Sequence, residues 1–351
     1  MAKIDDLTLK VGRVYAQAER DIIQRIANRL KKDKTLTIEQ WEIRKLRELQ
    51  TLRSGVEKQI KAKLDNYTEK ELQPIIQELY NQGSKDAIAD LRKVYNINEI
   101  TTDFGKIDEA TVANYTKALK GNLQGTHLRM IRQADDVYRQ AVSRGVNTVL
   151  TGSGTRVEGA QRVLNEFANR GVSGFVDKSG RSWNLKTYAE MATRTTAARA
   201  RIDGSLNRFQ QNGEDLVVVS AHAESCPICD PWEGRILSIS GRSEDYPSVS
   251  EAEADGLWHA NCTHNTTLWV EGLTTKPEPV DSTDNYEERQ TQRYMERNVR
   301  KWKRREVAAM TDDEAKKAKN YIRKWQGKLR EHTEKTGMYR KYERESIKTA
   351  R

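Results

Sequence analysis

The chain concentrates its three cysteines in two short stretches, "SCPICDPWEG" at residues 225–234 and "GLWHANCTHNTT" at residues 256–267. Cys226 and Cys229 form a C-x2-C pair, with a proline between them that suits a tight turn. Two thiolates at this spacing can point at one ion, and Zn²⁺ prefers four sulfur or imidazole ligands in a tetrahedron. The two stretches therefore predict a small module that is held together by a metal ion.

The second stretch offers more donors than one zinc ion needs. The three cysteines are the expected ligands because thiolate is the softer and stronger donor. His259 is the preferred fourth ligand, since its three-residue offset from Cys262 can bring both donors round one turn. His264 is the alternate, and His222, at the end of a predicted strand, could also serve. The predicted cofactor is one structural Zn²⁺, and its ligands are Cys226, Cys229, His259 and Cys262, with His264 as the alternate.

Other interpretations of the same residues stay open. The cysteines can be small buried hydrophobes, or one of them can be a nucleophile with a histidine base. A basic zinc protein can also bind DNA. His259, Asn261 and His264 are the residue types of the motif of HNH-type nucleases, but that motif spreads them over a hairpin and a helix. A catalytic zinc needs an open position and a neighbouring acid or base. The acidic residues near in sequence, none of which the pattern singles out, are Glu224, Asp230 and Glu233.

The composition indicates a basic protein with a modest core. Of 351 residues, 36% are hydrophobic and 32% are charged, so much of the surface must be solvated helix. The net charge of +10 favours polyanionic partners such as nucleic acid. The N-terminus has no apolar segment of the signal-peptide type, and we expect no membrane-spanning helix and no membrane partner. An odd number of cysteines makes a disulfide framework unexpected and favours a reducing compartment.

The predicted fold class is mostly α. An elongated helical region, a bundle or an arm that binds a partner, is expected over residues 1–150. A small α+β core with the zinc site is expected over 151–273, and a linker that contains two prolines over 274–285. Residues 286–351 are predicted to form a basic helical tail, since 281–351 hold 21 Lys and Arg against 13 Asp and Glu.

Local patterns predict individual elements of this fold. Thr37 and Gln40 fit a capping box that starts a long helix. A β-branched run at 214–222 and the segment 266–270 predict strands, and 173–185 predicts a hairpin. The apolar positions that define one stripe of the long helix are Ile43, Leu46, Leu49, Leu52, Val56, Ile60 and Leu64.

The tail carries the predicted DNA-binding residues. Arg293, Arg297, Arg300 and Arg304 recur at helical spacing, and Lys301 lies beside them. We expect these side chains to contact phosphates without sequence preference, with Tyr294 and Trp302 free to pack or stack. A second helix is expected after the N-cap Thr311, with a buried stripe of Tyr321, Trp325 and Leu329. The alternative is a helical hairpin that docks on the core or on another subunit.

A larger pattern over about residues 174–270 joins the two cysteine-rich stretches to a hairpin, a helix and a strand. Its positions are Phe175, Val176, Asp177, Gly180, Arg181, Trp183, Tyr188, Met191, Arg194, Thr195, Val219, Ser220, His222, Cys226, Cys229, Trp232, Gly234, Gly256, His259, Asn261, Cys262 and His264. This pattern resembles the tailed-phage minor capsid protein 2 family, which is related to the Mu F-like head morphogenesis proteins. Where the family tends to have Pro and Arg in its His-Pro-Asn-Cys-Arg-His ending, this chain has Ala260 and Thr263, and no ligand-type residue is lost.

This resemblance implies a virion structural protein and no enzymatic activity. Such a protein is made in the host cytoplasm and is present in several copies inside the head or at the portal vertex. The partners that the resemblance implies are the portal protein, the major capsid protein and packaged double-stranded DNA. The expected role is in head assembly and in DNA packaging or ejection.

Overall fold

The structure is a computed structural model and describes residues 2–176, 182–223, 225–278 and 283–348. The described chain is mostly helical, with short strands, as the sequence predicts. Two compact units divide it. Unit 1 comprises Met1–Thr8, Glu69–Gly121 and Met191–Arg289, and unit 2 comprises Leu9–Thr68, Asn122–Glu190 and Gln290–Arg351. The four regions predicted along the chain stay a prediction, and residues 279–282 of the predicted linker lie outside the described residues.

Helices account for most of the described residues. A π-helical turn, Lys61–Asp65, joins α3 to α4. None of the described helices is long and apolar enough to cross a membrane. The helices are α1 Ala2–Leu30, α2 Ile38–Arg47, α3 Leu49–Ile60, α4 Asn66–Leu91, α5 Lys106–Leu150, α6 Arg156–Arg170, α7 Leu185–Gln211, α8 Val249–Ala254, α9 Thr283–Ala308 and α10 Asp312–Thr336.

The strands form two antiparallel sheets. A hairpin pairs β1 (Ser173–Val176) with β2 (Ser182–Asn184), as predicted, and its turn residues 177–181, with Asp177, Gly180 and Arg181, lie outside the described residues. The second sheet has the order β4-β3-β5, with β3 (Leu216–Val219) in the centre, β4 (Ile236–Ser238) on one side and β5 (Thr266–Leu268) on the other. The predictions of β3 and β5 are confirmed, and the sequence reading missed β4.

Several helix ends follow directly from capping residues. Thr37 accepts a hydrogen bond from the Gln40 N–H and the Gln40 side chain accepts one in return, which confirms the predicted capping box. Thr311 caps α10 in the predicted position. Gly171 follows α6 with a φ of 73°, a left-handed conformation that glycine adopts without strain.

The prediction of one long helix through residues 43–64 is wrong. The helix is interrupted at Glu48, which separates α2 from α3. α2 buries Trp41 and Lys45, while Ile43 and Leu46 are exposed at 51% and 45%. Each three-residue step from Ile43 to Leu52 falls about 60° short of a full turn, so Ile43 lies on the face opposite Leu52. Beyond the break, the predicted stripe is buried as expected, at Leu52, Val56, Ile60 and Leu64.

The core of unit 1 packs helices against the central strand. Residues from the ends of α4 and α7, such as Leu91 and Phe209, meet the buried side chains of Val217 and Val219 on β3. Cys229 belongs to the same cluster. The core therefore reaches directly to the cysteine-rich loops. The other large members are Leu206, Trp232, Leu237, Leu257, Trp258 and Leu268.

A buried carboxylate on α1 contacts several elements of unit 2. Glu19 is 1% exposed and accepts hydrogen bonds from the Val172 N–H at 2.6 Å and from the Asn184 amide at 2.8 Å. The Arg304 guanidinium lies 3.7 Å from the same carboxylate and also donates to the Ala168 carbonyl at 2.8 Å. Because a buried charge needs partners, these contacts hold α9 to α6 and the hairpin within this unit.

Within unit 2, α10 packs against the part of α9 that follows Arg289 through aromatic and aliphatic side chains. Trp302 stacks on Tyr321 with ring centroids 3.9 Å apart and planes 5° apart. The predicted stripe of α10 is correct at Leu329, which is buried, but Tyr321 is 37% exposed and Trp325 is half-buried. Ala318 and Ile322 occupy the buried face instead.

Helices α7 and α4 cross closely within unit 1. A Cβ on Gly204 of α7 would lie 2.2 Å from the Tyr80 carbonyl oxygen of α4. Replacing Gly204 with Ala should therefore lower the free energy of unfolding by about 1–3 kcal/mol, because backbone must move. Urea unfolding followed by circular dichroism measures the change. Gly121→Ala in α5, where no atom lies within 4 Å, is the control and should stabilise by roughly 0.5–1 kcal/mol. Equal effects of the two substitutions would contradict this packing.

Candidate metal centre

The pairing of β3 with β5 brings the two cysteine-rich stretches together. Val219 at the end of β3 pairs with Thr266 at the start of β5. The pairing continues beyond the strands, since the Ser220 N–H donates to the Asn265 carbonyl at 2.9 Å. The next contact in the same direction joins the His222 ring to the Thr263 hydroxyl at 2.9 Å. The loop after β3 and the loop before β5 therefore meet at one end of the sheet.

The first loop forms the turn that the C-x2-C spacing predicts. The N–H groups of Cys229 and Asp230 both donate to the Cys226 carbonyl at 3.0 Å. A short 3₁₀ turn, Asp230–Trp232, follows at once. Cys229 is buried, Cys226 is half-buried, and both are free thiols.

The second loop depends on left-handed backbone. Trp258 has a φ of 57° and Asn261 a φ of 69°, a region that non-glycine residues rarely occupy. The Asn261 N–H is held at 3.3 Å by the Thr195 hydroxyl of α7, so two residues of the family-like pattern meet here. The curled backbone turns His259 and Cys262 towards the first loop. Strained residues that cluster in one loop are typical of a functional site.

The donor atoms form two overlapping groups that share Cys229. Cys226, Cys229 and His259 make one group, and Cys229, Cys262 and His264 make the other, with all donor atoms of a group within 4.8 Å of one another. The Cys229 and Cys262 sulfur atoms are 3.5 Å apart, close to the separation of about 3.8 Å that a tetrahedron with 2.3 Å Zn–S bonds requires. The His259 Nε2 lies 2.8 Å from the Cys226 sulfur. Each of the five predicted donors therefore belongs to one of two groups that share Cys229, and no four of these described residues form a single group.

A buried carboxylate extends the second group. The Glu233 side chain is fully buried and accepts a hydrogen bond from the His264 Nε2 at 2.7 Å and one from the His222 N–H at 3.1 Å. The opposite ring nitrogen, His264 Nδ1, lies 3.3 Å from the Cys262 sulfur. The His222 ring stacks on His264 at 4.2 Å between centroids. His222, Glu233 and His264 make a third group of potential ligand atoms.

The thiols and imidazoles influence one another's protonation. The hydrogen bond that Cys229 donates, followed by contacts with His264, lowers the pKa of Cys262. The same hydrogen bond raises the pKa of Cys229, because its thiol is the donor. Burial by itself lowers the pKa of His264, but hydrogen bonds with Cys262 and Glu233 outweigh it and the pKa is raised. Burial and then His264 lower the pKa of His222. A thiolate and a charged or metal-bound imidazole are therefore compatible neighbours in this site.

The alternatives from the sequence receive different support. Cys229 does pack in the hydrophobic core, but the sulfur of each cysteine also lies near nitrogen or sulfur donors. For an HNH arrangement, His259, Asn261 and His264 should lie on a hairpin and a helix, whereas all three belong to the loop before β5.

Only part of the predicted DNA face is available to a ligand. Arg300 and Arg304 are buried at 7% and 6% exposure, and they donate to the Arg344 carbonyl and the Ala168 carbonyl, respectively. Arg293 pairs with Glu296 at 2.9 Å, and Lys301 is half-buried beside Trp302. Arg297 is exposed. Trp302 is 8% exposed and stacked, so it is not free for a base.

Glu233 is the residue that sequence reasoning did not select. Its partner His264 lies 31 positions away, so no local spacing marks the contact. The one signal in the sequence is its position four residues after Cys229, inside the stretch that follows the C-x2-C pair. Glu224, another acidic residue noted from the sequence, lies outside the described residues.

Comparisons with known proteins find relatives among phage structural proteins. One relative is a "Structural protein" from Lactococcus phage LL-H. It is 26% identical over 284 residues, which cover 75% of this chain and 76% of the relative's length. A "Structural protein" from Lactococcus phage mv4 is 40% identical over 114 residues, 29% of this chain and 92% of its own length. No solved structure matches. The model of the family described as Phage minor capsid protein 2 matches residues 2–334, nearly the whole sequence. The chain therefore belongs to the phage minor capsid protein 2 family.

Proposed function

We propose that this protein is a minor structural component of the phage head, located inside the head or at the portal vertex, where it acts in head assembly and DNA packaging or ejection. The observation that carries the proposal is the family match over residues 2–334. The names of both relatives, each a phage structural protein, support it. The proposed partners are the portal protein, the major capsid protein and packaged double-stranded DNA, with several copies of this chain around the portal.

Within this role, one Zn²⁺ is proposed as a structural clamp. The donor set suits the ion, because three thiols and an imidazole supply the four soft or borderline ligands of a closed tetrahedral site. Cys226 and Cys229 follow β3, while Cys262 and the candidate histidines precede β5. An ion bound by both loops would close the long connection 230–258 at its two ends. A closed ligand set leaves no place for a substrate, which is why the clamp is structural and not catalytic.

The proposed contact with DNA uses a different surface from the predicted arginines. Between residues 316 and 330, α10 carries seven Lys and Arg and no Asp or Glu. Ala318, Ile322 and Leu329 turn the opposite face of the helix inward. This surface, called the α10 basic face, suits the phosphate backbone of DNA, which needs positive charge but no base contacts. Its residues, all exposed, are Lys316, Lys317, Lys319, Arg323, Lys324, Lys328 and Arg330.

The particle itself tests the proposed location. Purified heads should contain this chain at a fixed ratio to the portal protein, measured by quantitative mass spectrometry. Electron microscopy of the same heads should place its density at the portal vertex or against the packaged DNA. A chain that is lost from heads purified at high salt, or that is absent from them, would contradict a structural role.

Removal of the metal tests the clamp. The purified full-length chain should contain about one zinc per chain by elemental analysis, and a strong chelator should lower the free energy of unfolding by about 4 kcal/mol or more. Hydrogen exchange should then increase over residues 214–270. Cys226→Ser should reproduce the effect, whereas Ile228→Ala, an exposed residue of the same turn, should not. A melting curve that is indifferent to the chelator, in protein without zinc, would rule the clamp out.

Charge reversal tests the α10 basic face. Lys317→Glu with Lys324→Glu should weaken binding to duplex DNA at least about tenfold in 0.1 M salt, and should reduce the slope of log K against log salt by about 2. Lys58→Glu with Lys61→Glu, on exposed residues outside this face, is the matched control. Arg304→Ala should instead destabilise the protein, because it leaves Glu19 buried without its cation. Equal loss of DNA affinity in both double variants would refute a specific face.

A further inference from the structure

Two imidazoles lie next to the thiols: His264 is grouped with Cys229 and Cys262, and His259 is grouped with Cys226 and Cys229. The surroundings of the two rings differ. His264 is 2% exposed, and each of its ring nitrogens has a partner of its own: Cys262 at Nδ1 and Glu233 at Nε2. His259 is half-buried, with Nε2 near the Cys226 sulfur and Nδ1 2.9 Å from the carbonyl oxygen of its neighbour Ala260. We call the group at the ring nitrogen that faces away from the thiols the outer partner. The outer partner of His264 is a carboxylate, and the outer partner of His259 is the backbone carbonyl of the next residue.

The outer partner decides how well an imidazole serves as a ligand. A neutral histidine presents a lone pair on one nitrogen only when the other nitrogen holds the proton. A carboxylate accepts that proton's hydrogen bond, sets the ring orientation and makes the free nitrogen more basic. Glu233 meets this condition at 2.7 Å from His264 Nε2.

Glu233 itself is best explained by such a role. The carboxylate is fully buried, and its Oε2 has no hydrogen-bond partner among the described residues. The neighbouring contacts fix its position, since the His222 N–H donates to Oε1 and the His222 ring covers His264. Burial of a carboxylate with one oxygen unpaired is costly, and a positive ion close to His264 would offset that cost.

We propose that His264 binds the metal through Nδ1 as the fourth ligand, beside Cys226, Cys229 and Cys262, and that Glu233 is the positioning residue that holds its Nε2–H. This inference rests on the proposed zinc clamp and reverses the preference for His259 that the spacing favours. In this arrangement His259 stays outside the ligand set. The series of buried contacts from the metal to His264 and on to Glu233 would also connect the ion with the Trp232–Gly234 segment, which leads into β4.

Zinc affinity in the full-length chain tests the assignment. Competition with a chromophoric chelator should show a loss of at least about 100-fold for His264→Ala and about 10- to 100-fold for Glu233→Gln. His259→Ala should stay within about threefold of the wild type. Glu271→Gln, an exposed acidic residue after β5, is the matched control and should change nothing.

A measurement on the unmodified protein guards against variants that fail to fold. Long-range ¹H–¹⁵N correlation spectra of the zinc-loaded chain should show His264 with a metal-bound Nδ1 and a protonated Nε2. A metal-bound Nε2 on His259, or a larger affinity loss in His259→Ala than in His264→Ala, would overturn this inference while the clamp still stands. A wild-type chain that binds no zinc would overturn both.

Discussion

The pairing of β3 with β5 is the constraint on which the candidate metal centre depends. Backbone hydrogen bonds fix the register from Val217 and Leu268 to Val219 and Thr266, and side-chain contacts carry it on to His222 and Thr263. The donors lie in loops at the same end of these strands, so a slip of the register would separate them. The buried valines of β3 and the core residues beneath them make such a slip costly. The site is therefore positioned by hydrophobic burial, and any metal ion adds to an arrangement that the sheet has already defined.

Buried charges follow one rule in both units. Glu233 meets His264 and the His222 N–H, and Glu19 meets Arg304 together with two amide donors. A charge that leaves water needs a partner and further hydrogen bonds. Each carboxylate is therefore contacted by residues from distant parts of the chain. This requirement also explains why part of the tail's positive charge is internal. Arg300 and Arg304 satisfy carbonyls and a carboxylate, while the lysines of α10 remain at the surface.

These features fit a small component of a large particle. In the proposed role, a minor head protein that meets packaged DNA would need stable modules and a surface that tolerates any DNA sequence. The proposed clamp would stabilise a module whose sheet has only short strands, and the α10 basic face would meet phosphates without base contacts. The two features lie in different compact units.

The sequence by itself determined the local features of this protein: mostly helical structure, the capping box of Thr37 and Gln40, and the buried strand β3. Each of these depends on residues only a few positions apart, where spacing reports geometry directly. The sequence also named five candidate metal donors, but the pairing of β3 with β5 is what brings their two loops together. Tertiary structure alone decided which arginines are buried and why Glu233 faces His264. Those outcomes depend on contacts between residues far apart in the chain, and helical or strand periodicity contains no information about which distant segment will cover a given face.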